Sequence, residues 1–330
     1  MRGISAICVS LAFALAAAAA GSESAMAQAY PTRPVTVIVP FAAGGPTDVL
    51  ARIVGEHMSR TLGQNFVVEN MPGAGGTVGS TRAMRATPDG YTIQMGQMGT
   101  HAGAVALYPN LAYKPEVDFA PIGLVVEQAI VIYGRKDFPP NNLQEFVTYV
   151  KANADKLNVG HAGVGSTSHF TCLMLNSVLG VKPTMVPFGG AGPALNALLG
   201  GQTDYMCDSI SFVVQQIQSG GVKGYAVASP QRNPALPNLP TTKEAGLPEF
   251  QVAGWFALFA PKATPKPILE RLTAALNKAL DDPGVQKRLA DLGCDIPEPA
   301  RRGPEPLAAL VKSEIARWTP VIKAANVKAE

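Results

Sequence analysis

The stretch VIVPFAAGGPTDVLARIVGEHM, Val37 to Met58, constrains the fold most. An apolar run stops at a block of small residues and a proline, then resumes at helical spacing through Val49, Leu50, Ile53, Val54, Met58 and Leu62. A buried strand that turns through glycines directly into an amphipathic helix is a βα unit. Gly63 then stands where a helix of this register needs a left-handed C-terminal residue. The same strand, glycine turn and helix recur from Leu157 to Leu175, around GVGSTSH. One such unit in each half of the chain suits two lobes facing a shared cleft.

The remaining chain fits that plan. NFVVEN and YTIQMGQ read as strands, as do AIVIYGRKD, LNVGHAG, TMVPF, TDYMCDS, KGYAVAS and VAGWFALFA, with helical stretches such as LQEFVTYVKANADK and PALNALLGG between them. Strands separated by helices imply α/β lobes with doubly wound, parallel sheets. Three closing helices are expected at Thr264-Pro265, near Asp282 and near Pro304, because proline is favoured at a first helical position. A composition of 47% hydrophobic and 15% charged residues is that of a globular protein. The formal charge of +3 is small and scattered, and no nucleic-acid-binding pattern is present, so a nucleic-acid partner is not expected.

Residues 1–27 carry Arg2, an apolar stretch from Ile4 to Ala20 and a small-x-small site at Ala25-Met26-Ala27. They are expected to be a signal peptide removed after Ala27, which would place the mature protein in the periplasm. Cys172, Cys207 and Cys294 then remain. An oxidising compartment permits one disulfide, and Cys172 to Cys207 is the preferred pair because both fall in one proposed domain. The alternative is three small buried hydrophobes.

Each glycine loop offers main-chain N–H groups at a helix start. Ala42, Ala43, Gly44, Gly45 and Thr47 supply them in the first loop, and Gly163 to Thr167 in the second, with the hydroxyls of Ser166, Thr167 and Ser168. Helix N-termini carry unpaired donors and a partial positive charge, so such loops hold anions. Neither contains Lys or Arg, which favours a carboxylate over a polyphosphate. Asp48 either complements the helix dipole or binds an amino or hydroxyl group of the ligand. Asp208, at a strand's C-terminal end, has the same two readings. GAGGTVGS, Gly73 to Ser80, misses the spacing of a dinucleotide fingerprint and is discounted. A nucleophilic enzyme would have to use Ser166 and His169, but the usual serine elbow is absent. His161, His169, Cys172 and Cys207 lack metal-ligand spacing. No catalytic residue, cofactor or metal is therefore expected.

At this point YPTRPVTVIVPFAAGGPTDVLAR, VENMPGAGGTVGS, TPDGYTI, GHAGVGSTSH, VPFGGAGPALNALLGGQTDYMCDS and GLPEFQVAGWFALFAPKATPKPILERL together resemble the Bug, or TctC-like, periplasmic solute-binding proteins of tripartite tricarboxylate transporters. The resemblance implies a type II periplasmic-binding-protein fold, with residues 28–128 and 252–330 in one domain and 129–251 in the other. It implies a monomer that closes around a small organic acid by a hinge near residues 127–130 and 250–254, with transporter subunits in the membrane as partners. In that family two loops hold the ligand carboxylate, matching Phe41 to Asp48 and Gly163 to His169 here. The family pattern also brings Gln97, Gly99, Thr100 and His101, together with Phe188, Gly189 and Asp208, to the cleft. Gln128 stands where proline is frequent and is expected to touch the far end of the ligand. Phe188 replaces a usual tyrosine, which favours an apolar or aromatic ligand body.

Overall fold

The computed structural model describes residues 30–324; the expected signal peptide lies outside them. In the first lobe, the β-branched run Val35–Val39 forms β1, fully covered except at Thr36. Helix α1 (Pro46–Leu62) follows, with Pro46 in its first turn. It ends at Gly63, whose φ of 74° lets its N–H reach Ser59 O. Strand β2 (Phe66–Asn70), helix α2 (Thr77–Met84) and strand β3 (Thr92–Gln97) complete the first winding. The long strand β4 (Phe119–Arg135) leads to the second lobe, made of α3 (Leu143–Asn153), β5 (Asn158–His161), α4 (Thr167–Leu179), β6 (Thr184–Pro187), α5 (Ala191–Leu199), β7 (Tyr205–Ser209), α6 (Ile210–Gln218) and β8 (Val222–Val227). The chain returns along β9 (Ala253–Pro261) to α7 (Lys266–Asp281), α8 (Pro283–Asp291), β10 (Cys294–Asp295) and α9 (Pro304–Ala324). The three closing helices thus begin where their prolines indicate.

Strand order is β2-β1-β3-β9-β4-β7-β5-β6, with β8 and β10 also pairing on β4. The pairs of β1 with β2 and β3, and of β5 with β6 and β7, are parallel. Strands β4 and β9 are antiparallel to their neighbours, which corrects the expectation of purely parallel sheets. They carry the chain out of the first lobe and back into it, and antiparallel neighbours need no helical crossover between them. Strand β4 changes partner along its length. It pairs with β9 as far as Ala129, opposite Ala253, and with β7 from Ile130, opposite Ser209.

Helix α9 folds back over the first lobe, where Trp255 and Trp318 both donate their indole N–H to Glu314 Oε2, at 3.3 and 3.0 Å. The Trp318 ring also meets Phe170 of α4, centroid to centroid at 6.0 Å. Cys172, Cys207 and Cys294 are buried free thiols, so the expected Cys172 to Cys207 disulfide is absent. The physical reason is local. The N–H of Cys207 donates to Cys172 Sγ at 3.2 Å, placing that sulfur over the backbone of β7.

Candidate functional site

The first loop is held by Asp48. Its carboxylate accepts from the N–H of Gly44 at 3.0 Å, from Arg52 Nε and Nη2 at 3.0 and 2.9 Å, and from Asn70 Nδ2 at 3.0 Å. Asn70 also donates to Phe41 O at 3.1 Å, which ties β2 to the loop. Burial pushes the Asp48 carboxyl up, but these hydrogen bonds outweigh it and hold the group below its ordinary value. A depressed carboxyl contributes stability above its unfolded pKa and loses it as pH falls through the folded one. The expectation that Asp48 binds a ligand group is therefore corrected, because its oxygens are taken by the loop itself. Asp48→Ala leaves Gly44, Arg52 and Asn70 without this acceptor and is expected to cost roughly 3 kcal/mol in urea unfolding at neutral pH. A loss under about 1 kcal/mol would remove Asp48 as the loop's anchor.

The second loop builds itself in the same way. Gly163 and Gly165 take φ of 107° and 96°, conformations that glycine adopts without penalty. Ser166 caps α4, its Oγ accepting from the backbone N–H of His169 at 3.2 Å. The His169 ring accepts from Gly165 N–H through Nδ1 at 3.2 Å, so it props the loop and does not face Ser166 as a base would. Burial lowers His161 to about 4 and His169 to about 3, which keeps both imidazoles neutral near pH 7. Ser168 Oγ accepts from Ala162 N–H at 2.9 Å and lies 3.2 Å from Ser166 Oγ.

Between the loops lies a cavity to which both lobes contribute. Phe41, Gly45, Pro46, Thr47, Gln97 and Phe256 line it from the first lobe, and Ala162, Ser166, Thr167, Ser168, Ala191 and Asp208 from the second. The starts of α1, α4 and α5 thus converge on one space. The lining contains no Lys or Arg, and Asp208 is its one ionisable side chain. Asp208 is 2% exposed; its Oδ1 accepts from Ser209 N–H at 2.7 Å, while Oδ2 is buried with no hydrogen-bond partner. Burial pushes its carboxyl up to about 7, against the pull of the Ser209 N–H and the neighbouring serine hydroxyls.

The lobes meet directly around this space. Thr167 Oγ1 donates to Gln97 Oε1 at 2.5 Å, and the N–H of Gly99 donates to the same oxygen. Tyr108 donates its hydroxyl to Val164 O at 2.7 Å. A Cβ at Gly99 would collide with Gly165 O, and one at Gly75 with Val164 O. Gly73 to Gly76, discounted on motif spacing, therefore forms a wall that the second loop packs against. Its signal was the glycine cluster itself.

Several expected residues lie elsewhere. Thr100 is buried, its hydroxyl bonded to Gln97 O at 3.1 Å and in contact with His101 Nδ1 at 3.0 Å. His101 is a core residue, stacked on Phe259 at 3.9 Å, with burial lowering it to about 3. Gln128 does not line the cavity; its Oε1 accepts from Ser211 N–H at 3.1 Å. Phe188 packs on the second lobe's core and Gly189 is exposed, while the neighbouring Gly190 meets Ala42. Ala43 and Gly44 stand exposed at the rim. Sequence reasoning missed Ala162, Ala191 and Phe256, while Pro46 and Ser168 lie inside the two loops it assigned. Ala191 was within reach, since GGAG before an apolar helical run repeats the pattern of the other two loops.

Comparison with known proteins agrees with this two-lobed fold. A family model described as the tripartite tricarboxylate transporter family receptor, TctC, matches residues 50–327. MatC from Rhodopseudomonas palustris, solved with bound malate, is 52% identical and superposes with a TM-score of 0.86 over 89% of this chain and 100% of its own. The periplasmic binding protein BugD is 47% identical, with a TM-score of 0.87 over 91% of this chain and 100% of its own. A further R. palustris protein, solved with adipate, is 31% identical, with a TM-score of 0.86 over 91% and 99%. Among the described residues no helix is long and apolar enough to cross a membrane. The chain belongs to the TctC family of tripartite tricarboxylate transporter receptors, periplasmic solute-binding proteins of the Bug type.

Proposed function

We propose that the protein encloses a small organic carboxylate between its lobes and delivers it to the membrane subunits of a tripartite transporter. The observation that carries this reading is the convergence of three helix starts on a cavity without Lys or Arg. Backbone N–H groups and the hydroxyls of Thr47, Ser166, Thr167 and Ser168 can satisfy a carboxylate there without a counter-cation. Phe41 and Phe256 supply apolar walls for the ligand's carbon chain. The malate and adipate bound by two relatives support a small carboxylate as the ligand. Opening would turn on the point where β4 exchanges β9 for β7 at Ala129 and Ile130, next to the start of β9 at Ala253, giving lobes of residues 28–128 with 252–330 and of 129–251. Closure would present a joined surface of both lobes to the membrane partner.

A thermal-shift screen tests the reading, with purified protein unfolded and refolded first to release any retained ligand. A ligand that binds only the native state raises the melting temperature by mass action. Dicarboxylates such as malate, succinate and adipate are expected to shift it by several degrees at about 100 times Kd, as the corresponding gain of about 2.7 kcal/mol requires. Silence across mono-, di- and tricarboxylates, with a shift from an uncharged or cationic solute, would overturn the assignment.

A further inference from the structure

We infer that Asp208 and the bound carboxylate share one proton, so that the receptor takes up its ligand together with a proton from solvent. The inference rests on the carboxylate reading above. Asp208 lines the same cavity as Ser166, Thr167 and Ser168, and its Oδ2 is the buried oxygen there that the protein leaves without a partner. An anion seated on those hydroxyls and N–H groups meets a second, buried carboxyl inside the same cavity. Two carboxylates in one site do not both stay ionised; one holds the proton and donates it to the other.

The surroundings offer the carboxyl neighbouring serine hydroxyls but no positive charge. Tyr133 of β4 and Cys207 of β7 lie near Asp208, and burial raises both, so they stay neutral and supply no positive charge. Cys172 of α4 is a thiol bonded to the backbone of β7. His169 of α4 and His161 of β5 are buried and neutral, for the reason given above. Helix α6, directly after Asp208, has no titratable side chain, and the residues lining the cavity from the first lobe include none. A hydrogen on Oδ2 both removes the repulsion and provides the missing donor.

With Asp208 already raised to about 7 by burial, the empty site is protonated below that pH and ionised above it. Ligand binding raises the group further, so the proton taken up on binding appears only on the alkaline side. Titration calorimetry of the protein with malate, in paired buffers of different ionisation enthalpy from about pH 6 to about pH 9, counts it; malate itself is fully ionised there. Uptake is expected to approach one proton per malate above about pH 8 and to vanish near pH 6, with Kd weakening about tenfold per pH unit on the alkaline side. Asp208→Asn, which fixes a neutral donor at the same position, is expected to bind with no proton uptake and a flat pH profile. Malate binding to the unaltered protein with no proton uptake across the range overturns the inference, without recourse to any variant. Absence of binding by malate, succinate and adipate at every pH is a separate result, which overturns the carboxylate reading and the inference with it.

Discussion

Gly75→Val is expected to weaken ligand binding at least about 100-fold while leaving both lobes folded. Gly75 has φ of 61°, and a Cβ there would overlap Val164 O and stand 2.9 Å from Gly165 Cα. Both obstacles are backbone atoms of the opposite lobe, so no side chain can swing aside. The clash exists only when the two loops are together, which is the arrangement that completes the cavity. In an open form the substitution costs the left-handed backbone strain alone, about 1 to 2 kcal/mol. Circular dichroism and the melting temperature of the ligand-free variant should therefore stay near those of the unaltered protein, while calorimetry with malate loses its signal. Gly44 provides the contrast. It has φ of 81°, but no atom lies within 4 Å of where a Cβ would stand, so Gly44→Ala carries strain without a clash and should cost about tenfold or less. Wild-type affinity in Gly75→Val would mean that ligand is held without this contact between the lobes.

The same contrast explains what could be read from the chain. Features set by a residue's own backbone were legible: Gly63 ending α1, Pro46, Pro283 and Pro304 in first helical turns, and the two glycine loops. Features set by a partner distant in sequence were not. Asp48 is a mixed case, since Gly44 and Arg52, each four residues away, supply three of its four hydrogen bonds and only Asn70, 22 residues on, is distant. His101 looked polar until Phe259 is seen stacked on it. Gln128 looked free because Ser211, which bonds it, lies in the other lobe's chain segment. The length of β4 escaped notice for a related reason. Its first half contains Pro121 and Gly123, residues that argue against a strand, and pairing with β9 accommodates them through register shifts.

Asp208→Asn is expected to raise the stability of the ligand-free protein at alkaline pH. The carboxyl stands at about 7 in the folded chain, against 3.8 as the unperturbed value. Below the unperturbed value both states are protonated and the site contributes its full stability. Between the two values the folded state keeps a proton that the unfolded state has released, so stability falls as pH rises, by about 1.4 kcal/mol per unit and up to about 4 kcal/mol in total. Asparagine never ionises and can still accept from Ser209 N–H. The variant should therefore melt several degrees above the unaltered protein at about pH 8, with the gap narrowing as pH falls towards about 4. Parallel melting curves across that range would show that Asp208 is not strained by its burial. A gap of the expected sign would mean that the chain keeps, in its binding cavity, a group that destabilises the empty form, a cost that persists where function needs a strained site.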